Sequence, residues 1–201
     1  SFYRDKAVFD FLGTTLLPHL TRDARQHAAR ELRALSIGCA SGEEPCTLKL
    51  AWHFRVAPFL HREISLHIVA TDVLPEMLER AREACYPSSS LKRLPAARRA
   101  QAFEPVAGGY CLRAEYRQGI EFVQQDVRTA LPEGIFNLIL CRNLVFTYYD
   151  EDTQRDIVAR LLTRLSPGGA LVIGRREILP SGIPGLTPWP GAERLGIYRR
   201  D

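Results

Sequence analysis

The sequence predicts one α/β domain built around a mostly parallel, doubly wound sheet. Short apolar stretches alternate with longer amphipathic ones along the chain, which is the pattern of strands and helices in α/β proteins. The predicted strands are apolar enough to be covered on both faces, as parallel strands usually are. With 201 residues, of which 46% are hydrophobic, the chain can bury one substantial core.

The first predicted element is a helix, indicated by the spacing of Phe9, Phe11, Leu12, Leu16 and Leu17. From there the chain alternates between short strands and longer helical segments. A last strand, at 195–199, closes a sheet whose other predicted strands are 34–37, 66–71, 120–124, 136–141 and 170–174.

The clearest helix follows Asp150, a residue type that often caps helix N-termini. Its apolar side chains repeat every three or four residues, and the sequence Ser-Pro-Gly-Gly at 166–169 is expected to end it. Two segments do not fit the alternation: 87–118 is too long for a simple connection, and 179–191 is rich in proline and glycine. We expect both to shape a substrate entrance, with a plain surface excursion as the alternative for the second.

Charge by itself decides no class of function, whereas the cysteine content bears on metal sites. The formal net charge of +4 and the pI near 8.9 are a mild excess that could favour an acidic partner but is far from the dense basic stripe of a dedicated nucleic-acid-binding protein. The five cysteines form no C-x-x-C pair, so we expect reduced, mostly buried thiols in a cytoplasmic protein and no zinc site. No metal-ligand spacing is found among His19, His27, His53, His61 and His67.

No apolar run approaches the roughly 20 residues that span a membrane, so we expect no membrane insertion. We also expect no signal peptide. Because the chain begins at Ser1 rather than at a methionine, it is expected to be a fragment of a longer protein.

The most informative motif is LSIGCASGEEP at residues 35–45. Gly38 and Gly42 allow a ligand to approach the backbone after the first strand of the sheet, where open parallel sheets bind ligands. Glu43 and Glu44 occupy the start of the next helix, where a nucleotide phosphate would bind. Since two like charges about 4 Å apart repel by on the order of 1–4 kcal/mol, the motif favours a ligand with an ammonium group. The alternative is that both acids only complement the helix dipole.

Two further acids follow later predicted strands. Asp72 ends the second strand, where a carboxylate can accept both ribose hydroxyls of a nucleoside. Asp126 follows the third strand, where it could accept from an adenine amino group. Together with Glu43 they predict a pocket for adenosine that carries an ammonium group, and S-adenosylmethionine is the common cofactor of this kind. Separate capping or turn roles for the three acids are the alternative.

With these residues in hand, the chain resembles the CheR-type chemotaxis-receptor methyltransferases, which are S-adenosylmethionine-dependent protein-glutamate O-methyltransferases. The resemblance covers nearly all 201 residues. Its motifs are S-F-Y-R-D at 1–5, G-C-A-S-G-E-E-P at 38–45, A-T-D-V at 70–73, F-N-L-I-L-C-R-N at 136–143, T-Q at 153–154 and P-G-G at 167–169. The G-E-E-P and C-R-N motifs are specific in combination, whereas a P-G-G turn alone is not.

The resemblance implies a Rossmann-like class I methyltransferase sheet with an antiparallel last strand. It implies that residues 1–201 form the catalytic domain, with a small inserted β-subdomain at about 87–118 that helps to engage receptor helices. A solvent-facing hairpin is the alternative for that segment. The N-terminal helical domain of the family is expected to be absent.

The resemblance also implies roles for individual residues. Glu43 would lie near the methionine amino group, Asp72 on the ribose and Asp126 beside the adenine. Arg4 matches the active-site arginine near the methylated carboxylate, and Arg142 would line the methyl-donor end. The remaining cofactor-binding residues implied are Gly38, Cys39, Gly42, Val73, Val127 and Cys141.

Two departures from the family pattern concern the catalytic groups. The position of the family's active-site tyrosine holds Thr147, which leaves Tyr148 as a shifted candidate. The family's H-S-E sequence is replaced by Arg175, Arg176 and Glu177, which adds positive charge near the pocket. The predicted catalytic residues are therefore Arg4, Arg142 and Tyr148.

The first functional hypothesis is a cytoplasmic methyltransferase that acts on a protein glutamate, such as one in a chemoreceptor-like protein, and releases S-adenosylhomocysteine. Alternatives are a methyltransferase for a small molecule or another protein group, and a module that binds S-adenosylmethionine without turnover. The weakest is an RNA methyltransferase, suggested by Arg22, Arg25, Lys92, Arg93, Arg98 and Arg99. A solvated basic face is the simpler interpretation of these residues, and we expect no nucleic-acid partner.

Overall fold

The structure, a computed structural model, describes residues 1–60 and 64–201. Within this part of the chain, the helices are α1 (Lys6–Phe11), α2 (Leu17–Gln26), α3 (Glu43–Arg55), α4 (Pro75–Glu83), α5 (Ala96–Ala102), α6 (Val145–Tyr148) and α7 (Glu151–Arg164). The strands are β1 (Glu31–Ile37), β2 (Ser65–Asp72), β3 (Cys85–Tyr86), β4 (Phe103–Val106), β5 (Gly109–Leu112), β6 (Ile120–Gln124), β7 (Phe136–Cys141), β8 (Leu165–Ile173), β9 (Leu186–Pro188) and β10 (Ile197–Arg200).

Seven of these strands form the main sheet, in the order β6-β2-β1-β7-β8-β10-β9. The first five in this order run parallel, and β10 is antiparallel to both of its neighbours. The predicted α/β class and the antiparallel last strand are confirmed. The strand order reverses between β1 and β7, and their carboxyl ends form the crevice where such sheets bind ligands.

The two faces of the sheet bury separate apolar clusters because side chains alternate along each strand. On β1, Leu32 and Ala34 belong to the larger cluster, which includes residues of the N-terminal helices and α3. Leu35 and Ile37 belong to the other cluster, which includes Ile157 of α7. Helices therefore cover both faces, as the apolar strand sequences predicted.

The predicted leading helix is present as α1 and α2, joined by a π-helical turn at Leu12–Leu16. Phe9, Leu12, Leu16 and Leu17 are buried in the core, as the apolar spacing predicted. A Cβ atom at Gly13, in this turn, would stand 2.6 Å from Cδ of Arg55, so the arginine side chain would have to shift. The turn and α1 both pack against α3.

Helix α7 begins as predicted. The carboxylate of Asp150 accepts a hydrogen bond from the backbone N–H of Thr153 at 3.0 Å and so caps the helix. The predicted end is confirmed, because the helix stops at Arg164 and its C-cap Leu165 directly precedes the Ser-Pro-Gly-Gly sequence at 166–169. That sequence itself is part of β8, which was expected to begin only at residue 170. A register shift between Phe136 and Leu138 accommodates these residues beside β7.

The two segments outside the predicted alternation contain strands. Segment 179–191 contains β9, an edge strand of the main sheet that was not predicted, so β10 does not close the sheet but inserts between β8 and β9. Segment 87–118 contains β4 and β5, which form a three-stranded antiparallel sheet with β3. A division of the chain into a catalytic domain and an inserted subdomain remains a prediction.

The prediction of five reduced thiols was wrong for two cysteines. Cys85 on β3 and Cys111 on β5 are directly opposite each other and form a disulfide. They are 26 residues apart in sequence, so no local spacing rule indicated the pair. Cys39, Cys46 and Cys141 are free and buried, as predicted.

Two further expectations concerned membrane-spanning segments and the five histidines. In the parts that the structure describes, no helix has the length and apolar character to cross a membrane. Of the five histidines, His61 lies outside the described residues.

We predict that reduction of the Cys85–Cys111 disulfide lowers the free energy of unfolding by about 3 to 4 kcal/mol, the loop-entropy value for residues 26 apart. Urea unfolding with and without dithiothreitol measures this difference. In the Cys85→Ser/Cys111→Ser variant the reductant should have no effect, because the remaining thiols are buried and free. A reductant effect that persists in this variant would contradict the prediction.

Candidate functional site

A cavity of about 240 Å³ opens at the carboxyl ends of β1 and β7. It is bordered by the loop after β1, the first turns of α3, the N-terminal segment and the residues after β7. The described residues that line it are Ser1, Arg4, Phe9, Gly38, Cys39, Ala40, Glu43, Glu44, Thr47, Arg142 and Asn143. Five of the predicted site residues thus meet in one cavity: Arg4, Gly38, Cys39, Glu43 and Arg142.

The chain turns tightly after β1 in a loop at residues 38–42, here called the glycine loop. Gly38 has a φ of +69°, and a Cβ atom there would lie 2.7 Å from Cδ2 of Leu144. Gly42 has a φ of +85° and precedes the first residue of α3. Its Cβ atom would lie 2.9 Å from Cβ of Ala81. Both positions therefore need glycine for backbone conformation and for space.

The N-terminal segment is fixed at both ends so that Arg4 lies at the cavity. Phe2 is fully buried between the rings of Tyr86 and Phe103, with edge-to-face contacts at 4.8 and 5.2 Å. Tyr3 and Asp5 have φ values of 51° and 59°, a conformation that costs non-glycine residues of order 1–2 kcal/mol. Backbone strain of this kind often marks a functional segment.

The carboxylate of Glu43 lies at the start of α3 and is hydrogen-bonded to its neighbours. It accepts hydrogen bonds from the Ser41 hydroxyl at 2.6 Å and from the Ser90 hydroxyl at 3.4 Å. Burial raises the pKa of Glu43, and the Ser41 hydrogen bond lowers it. In its ionised form the carboxylate can also accept an ammonium donor.

Arg142 forms the central ion pair of the site. Its guanidinium donates to Glu44 Oε2 at 2.9 Å and to Asp5 Oδ2 at 2.7 Å, and its side chain is only 2% exposed. Burial raises the pKa of Glu44, an effect that Arg142 opposes. Among the described residues, Nε of Arg142 has no hydrogen-bond partner. The guanidinium thus connects the end of β7, α3 and the N-terminal segment. Its Nε–H group remains an unpaired hydrogen-bond donor within the described part of the chain.

Asp72 and Asp126 make different contacts at the sheet edge. Asp72 accepts the backbone N–H groups of Ala40 at 2.8 Å and Leu74 at 3.1 Å, so it ties the glycine loop to the end of β2. Asp126 pairs with Arg128 at 2.6 Å, and these hydrogen bonds lower its pKa. Neither aspartate is among the lining residues of the cavity. A carboxylate has about four lone-pair sites, so both can accept further donors.

The other predicted residues lie outside the cavity. Tyr148, at the end of α6, is 73% exposed, and Val73 is 47% exposed. Val127 and Cys141 are buried in the apolar cluster around β7. Gly42 adjoins the cavity through its neighbour Glu43.

Glu177 was not predicted as a site residue, but it holds the loop after β7. One carboxylate oxygen accepts the backbone N–H groups of Asn143 at 2.8 Å and Gly174 at 2.6 Å, and the other accepts the Thr147 hydroxyl at 2.6 Å. Thr147, in α6, is thus hydrogen-bonded to Glu177 and is not among the described residues that line the cavity. No sequence spacing could have indicated these contacts, because they join residues about thirty positions apart.

The cavity lacks an activated thiol nucleophile. Burial raises the pKa of the Cys39 and Cys141 thiols far above neutral pH, so both stay protonated. No cluster of histidine, cysteine and acidic side chains that could hold a metal ion exists among the described residues. The chemistry available to the site therefore comes from its arginines and carboxylates.

A known family model covers most of this chain. The model of the CheR methyltransferase, SAM binding domain, matches residues 1–187, and these residues include every element of the cavity. The chain belongs to the CheR methyltransferase family. The resemblance seen in the sequence motifs is thereby confirmed, and the description of the family supports S-adenosylmethionine as the cofactor.

Curated relatives of this CheR domain are longer proteins. A chemotaxis protein methyltransferase of Listeria monocytogenes is 33% identical over 180 residues, which are 88% of this chain and 64% of the relative. Cher2, a chemotaxis protein methyltransferase of Pseudomonas putida, is 29% identical over 187 residues, 91% of this chain and 66% of the relative. The chain thus spans about two thirds of the length of these relatives.

A more distant similarity links this CheR domain to solved methyltransferase structures. The glycopeptide N-methyltransferase MtfA superposes on 78% of this chain and 55% of its own chain, with a TM-score of 0.46 and 15% identity. The family assignment does not depend on this looser similarity.

We predict that Arg142→Met destabilises the protein by about 3 to 5 kcal/mol, because Glu44 and Asp5 would lose their buried partner. Urea unfolding measures the loss. Adding Glu44→Gln should recover part of it, since the uncompensated charge is then removed. The control is Arg155→Met, which breaks an exposed pair with Glu151 and should change stability far less. Equal losses in the two arginine variants would contradict the central role of Arg142.

Proposed function

We propose that the protein transfers the methyl group of S-adenosylmethionine to a glutamate carboxylate of another protein. The observation that supports this most is the presence, in one cavity, of a carboxylate that can accept an ammonium group, Glu43, and of an arginine, Arg4. The names of the curated relatives, chemotaxis protein methyltransferases, agree with a chemoreceptor-like protein substrate. A cytoplasmic location and a catalytic domain at 1–201 with an inserted subdomain at about 87–118 are part of the same proposal.

The residues at the sheet edge fit S-adenosylmethionine better than a phosphate-bearing nucleotide. Glu43 and Glu44 occupy the first turn of α3, where they would repel phosphate. Glu43 would accept the ammonium group of the cofactor, because it lines the cavity. Asp72 would bind the ribose and Asp126 the adenine amino group. When bound, S-adenosylmethionine supplies an electrophilic methyl group.

Smaller contributions to cofactor binding are proposed for the neighbouring residues. Gly38 and Gly42 would allow close approach of the ligand, because side chains there would clash with Leu144 and Ala81. The residues proposed to surround the rest of the cofactor are Cys39, Val73, Val127, Cys141 and Arg142.

Arg4 is proposed to bind the acceptor carboxylate. Its side chain is exposed and lines the cavity, so a second protein can reach it. An arginine forms two parallel hydrogen bonds with a carboxylate and thereby fixes its orientation. The unpaired Nε of Arg142 offers another buried donor in the same cavity. Tyr148 is exposed, and we propose that it contacts the acceptor protein outside the cavity.

This arrangement needs no general base. A glutamate side chain has an ordinary pKa of about 4.3 and is already ionised at neutral pH. The task of Arg4 and Arg142 is therefore to orient the carboxylate and to exclude water, not to remove a proton. Arg142 is paired with two carboxylates, Glu44 and Asp5, so it holds the shape of the site without adding an excess positive charge.

We predict that Glu43→Gln weakens binding of S-adenosylhomocysteine by about 10- to 100-fold, because it removes one charge-assisted hydrogen bond. Isothermal titration calorimetry measures the affinity. Glu79→Gln, an exposed change of the same kind on α4, is the control and should leave the affinity unaltered. An unchanged affinity in the Glu43 variant would remove Glu43 from the proposed site.

We predict that the methylated product is a carboxyl ester. After incubation with labelled S-adenosylmethionine and a cell lysate, mild base should release the label as volatile methanol. Label that stays on the protein in base would indicate N-methylation and overturn the proposed acceptor. Mass spectrometry of the labelled species would identify a small-molecule acceptor if there is one.

The Arg4→Met variant separates acceptor binding from cofactor binding. It should bind S-adenosylhomocysteine as the unaltered protein does but transfer methyl groups about 10- to 100-fold more slowly, the effect of one lost charge-assisted contact. Transfer at the normal rate would show that Arg4 does not bind the acceptor.

A further inference from the structure

A second concave surface lies on the other side of α1 from the candidate site. Two cavities of about 560 and 530 Å³ share Pro18, Arg55 and Phe59 in their walls, so they are two halves of one groove. Its position is set by α1, which turns Lys6 and Asp10 toward the groove and Phe9 toward the candidate site. We call it the arginine groove after its residues Arg22, Arg25, Arg55, Arg93 and Arg98.

The fold brings together basic residues that are far apart in the sequence. Arg22 and Arg25 come from α2, Arg55 from the end of α3, and Arg93 and Arg98 from the segment between β3 and β4. Four of the six basic residues named in the sequence analysis thus line one groove, whereas Lys92 and Arg99 do not.

This surface carries an excess of positive charge. Among the described residues that line the groove, Asp10 is the only carboxylate. It is already engaged by Arg55 at 2.6 Å and by Lys6. Several cations gathered around one paired acid create a positive potential that an anionic partner would neutralise.

The groove also has an apolar floor. Val56 is buried beneath it, and Pro18 and Leu60 are partly buried. The ring of Phe59 is 80% exposed between the two halves of the groove. A large aromatic side chain left in water inside a concave, charged surface is typical of a contact site for another molecule.

These features favour an acidic peptide over a nucleic acid. Single-stranded RNA binds through bases that stack on open aromatic faces. In the groove, the guanidinium of Arg98 lies over the ring of Phe54 at 4.1 Å. This leaves Phe59 as an exposed ring among the described groove residues, whereas successive bases stack on several rings. Apolar floor residues ringed by cations instead match aliphatic side chains flanked by carboxylates.

We propose that the arginine groove binds a short, acidic, amphipathic segment of another protein, with its carboxylates paired to Arg22 and Arg93 and an apolar side chain against Phe59 and Val56. This binding goes beyond the proposed methyl transfer, because none of the five groove arginines lines the cofactor cavity. It gives the protein a docking surface next to, but separate from, its active site.

The test uses a fluorescently labelled helical peptide of glutamate and leucine, with leucines at helical i, i+3 and i+4 spacing. The unaltered protein should bind it, and higher salt should weaken binding. The charge-reversal variant Arg22→Glu/Arg93→Glu should weaken it about tenfold or more, and Phe59→Ser should also weaken it. Fluorescence anisotropy measures each affinity.

The matched control is Arg80→Glu/Arg194→Glu, which makes the same charge change at two exposed arginines outside the groove. It should alter peptide affinity by less than about twofold. Equal losses of peptide affinity in the two double variants would show that the effect comes from net charge alone and would overturn the proposal. So would an oligouridylate that binds the groove more tightly than the peptide and loses affinity in the Arg22→Glu/Arg93→Glu variant.

Binding of S-adenosylhomocysteine, measured on the same variants, keeps the two proposals distinct. The groove variants should retain it, which also shows that they are folded. If the unaltered protein binds the peptide but not S-adenosylhomocysteine, the proposed function fails and the groove inference stands. If the unaltered protein binds S-adenosylhomocysteine but not the peptide, the groove inference fails and the proposed function is unaffected.

Discussion

The buried guanidinium of Arg142 is the contact on which the site depends. It joins Glu44 of α3 and Asp5 of the N-terminal segment to the end of β7, three elements that are far apart along the chain. Isolated charges of this kind are costly to bury, so each partner is needed to keep the others folded. The same pair of bonds holds the left-handed conformation of Asp5 and, with it, the position of Arg4.

Around this ion pair, the first turn of α3 distinguishes one class of adenosine ligand from another. Helix N-termini usually attract anions because of their free N–H groups and dipole. Here two carboxylates already occupy that position, so the helix start favours a cation over a phosphate. Glu43 can still accept a hydrogen bond from a ligand, whereas both carboxylate oxygens of Glu44 already accept hydrogen bonds, from Ser36 and from Arg142. Two adjacent acids thus have different tasks because they point to different neighbours.

The N-terminal helix separates two surfaces of opposite design. The candidate site on one side holds the buried ion pairs of Arg142, and the described residues of the arginine groove on the other side include more cations than carboxylates. Paired and buried charges are insensitive to salt, whereas exposed excess charge acts over a Debye length. The first surface is therefore suited to fixed geometry and the second to the capture of a partner from solution.

The sequence by itself determined the α/β class, most main-sheet strands, the cap of α7 and the glycine loop with its acids, because these depend on hydrophobic periodicity and on local backbone preferences. Strand β9, the early start of β8 and the Cys85–Cys111 bond depended on pairing between distant segments. Tertiary structure also decided that Arg142 is engaged by two carboxylates, that Tyr148 is exposed and that Glu177 holds the neighbouring loop. Motifs name the residues at a sheet edge, but only packing decides which charges meet and which remain free.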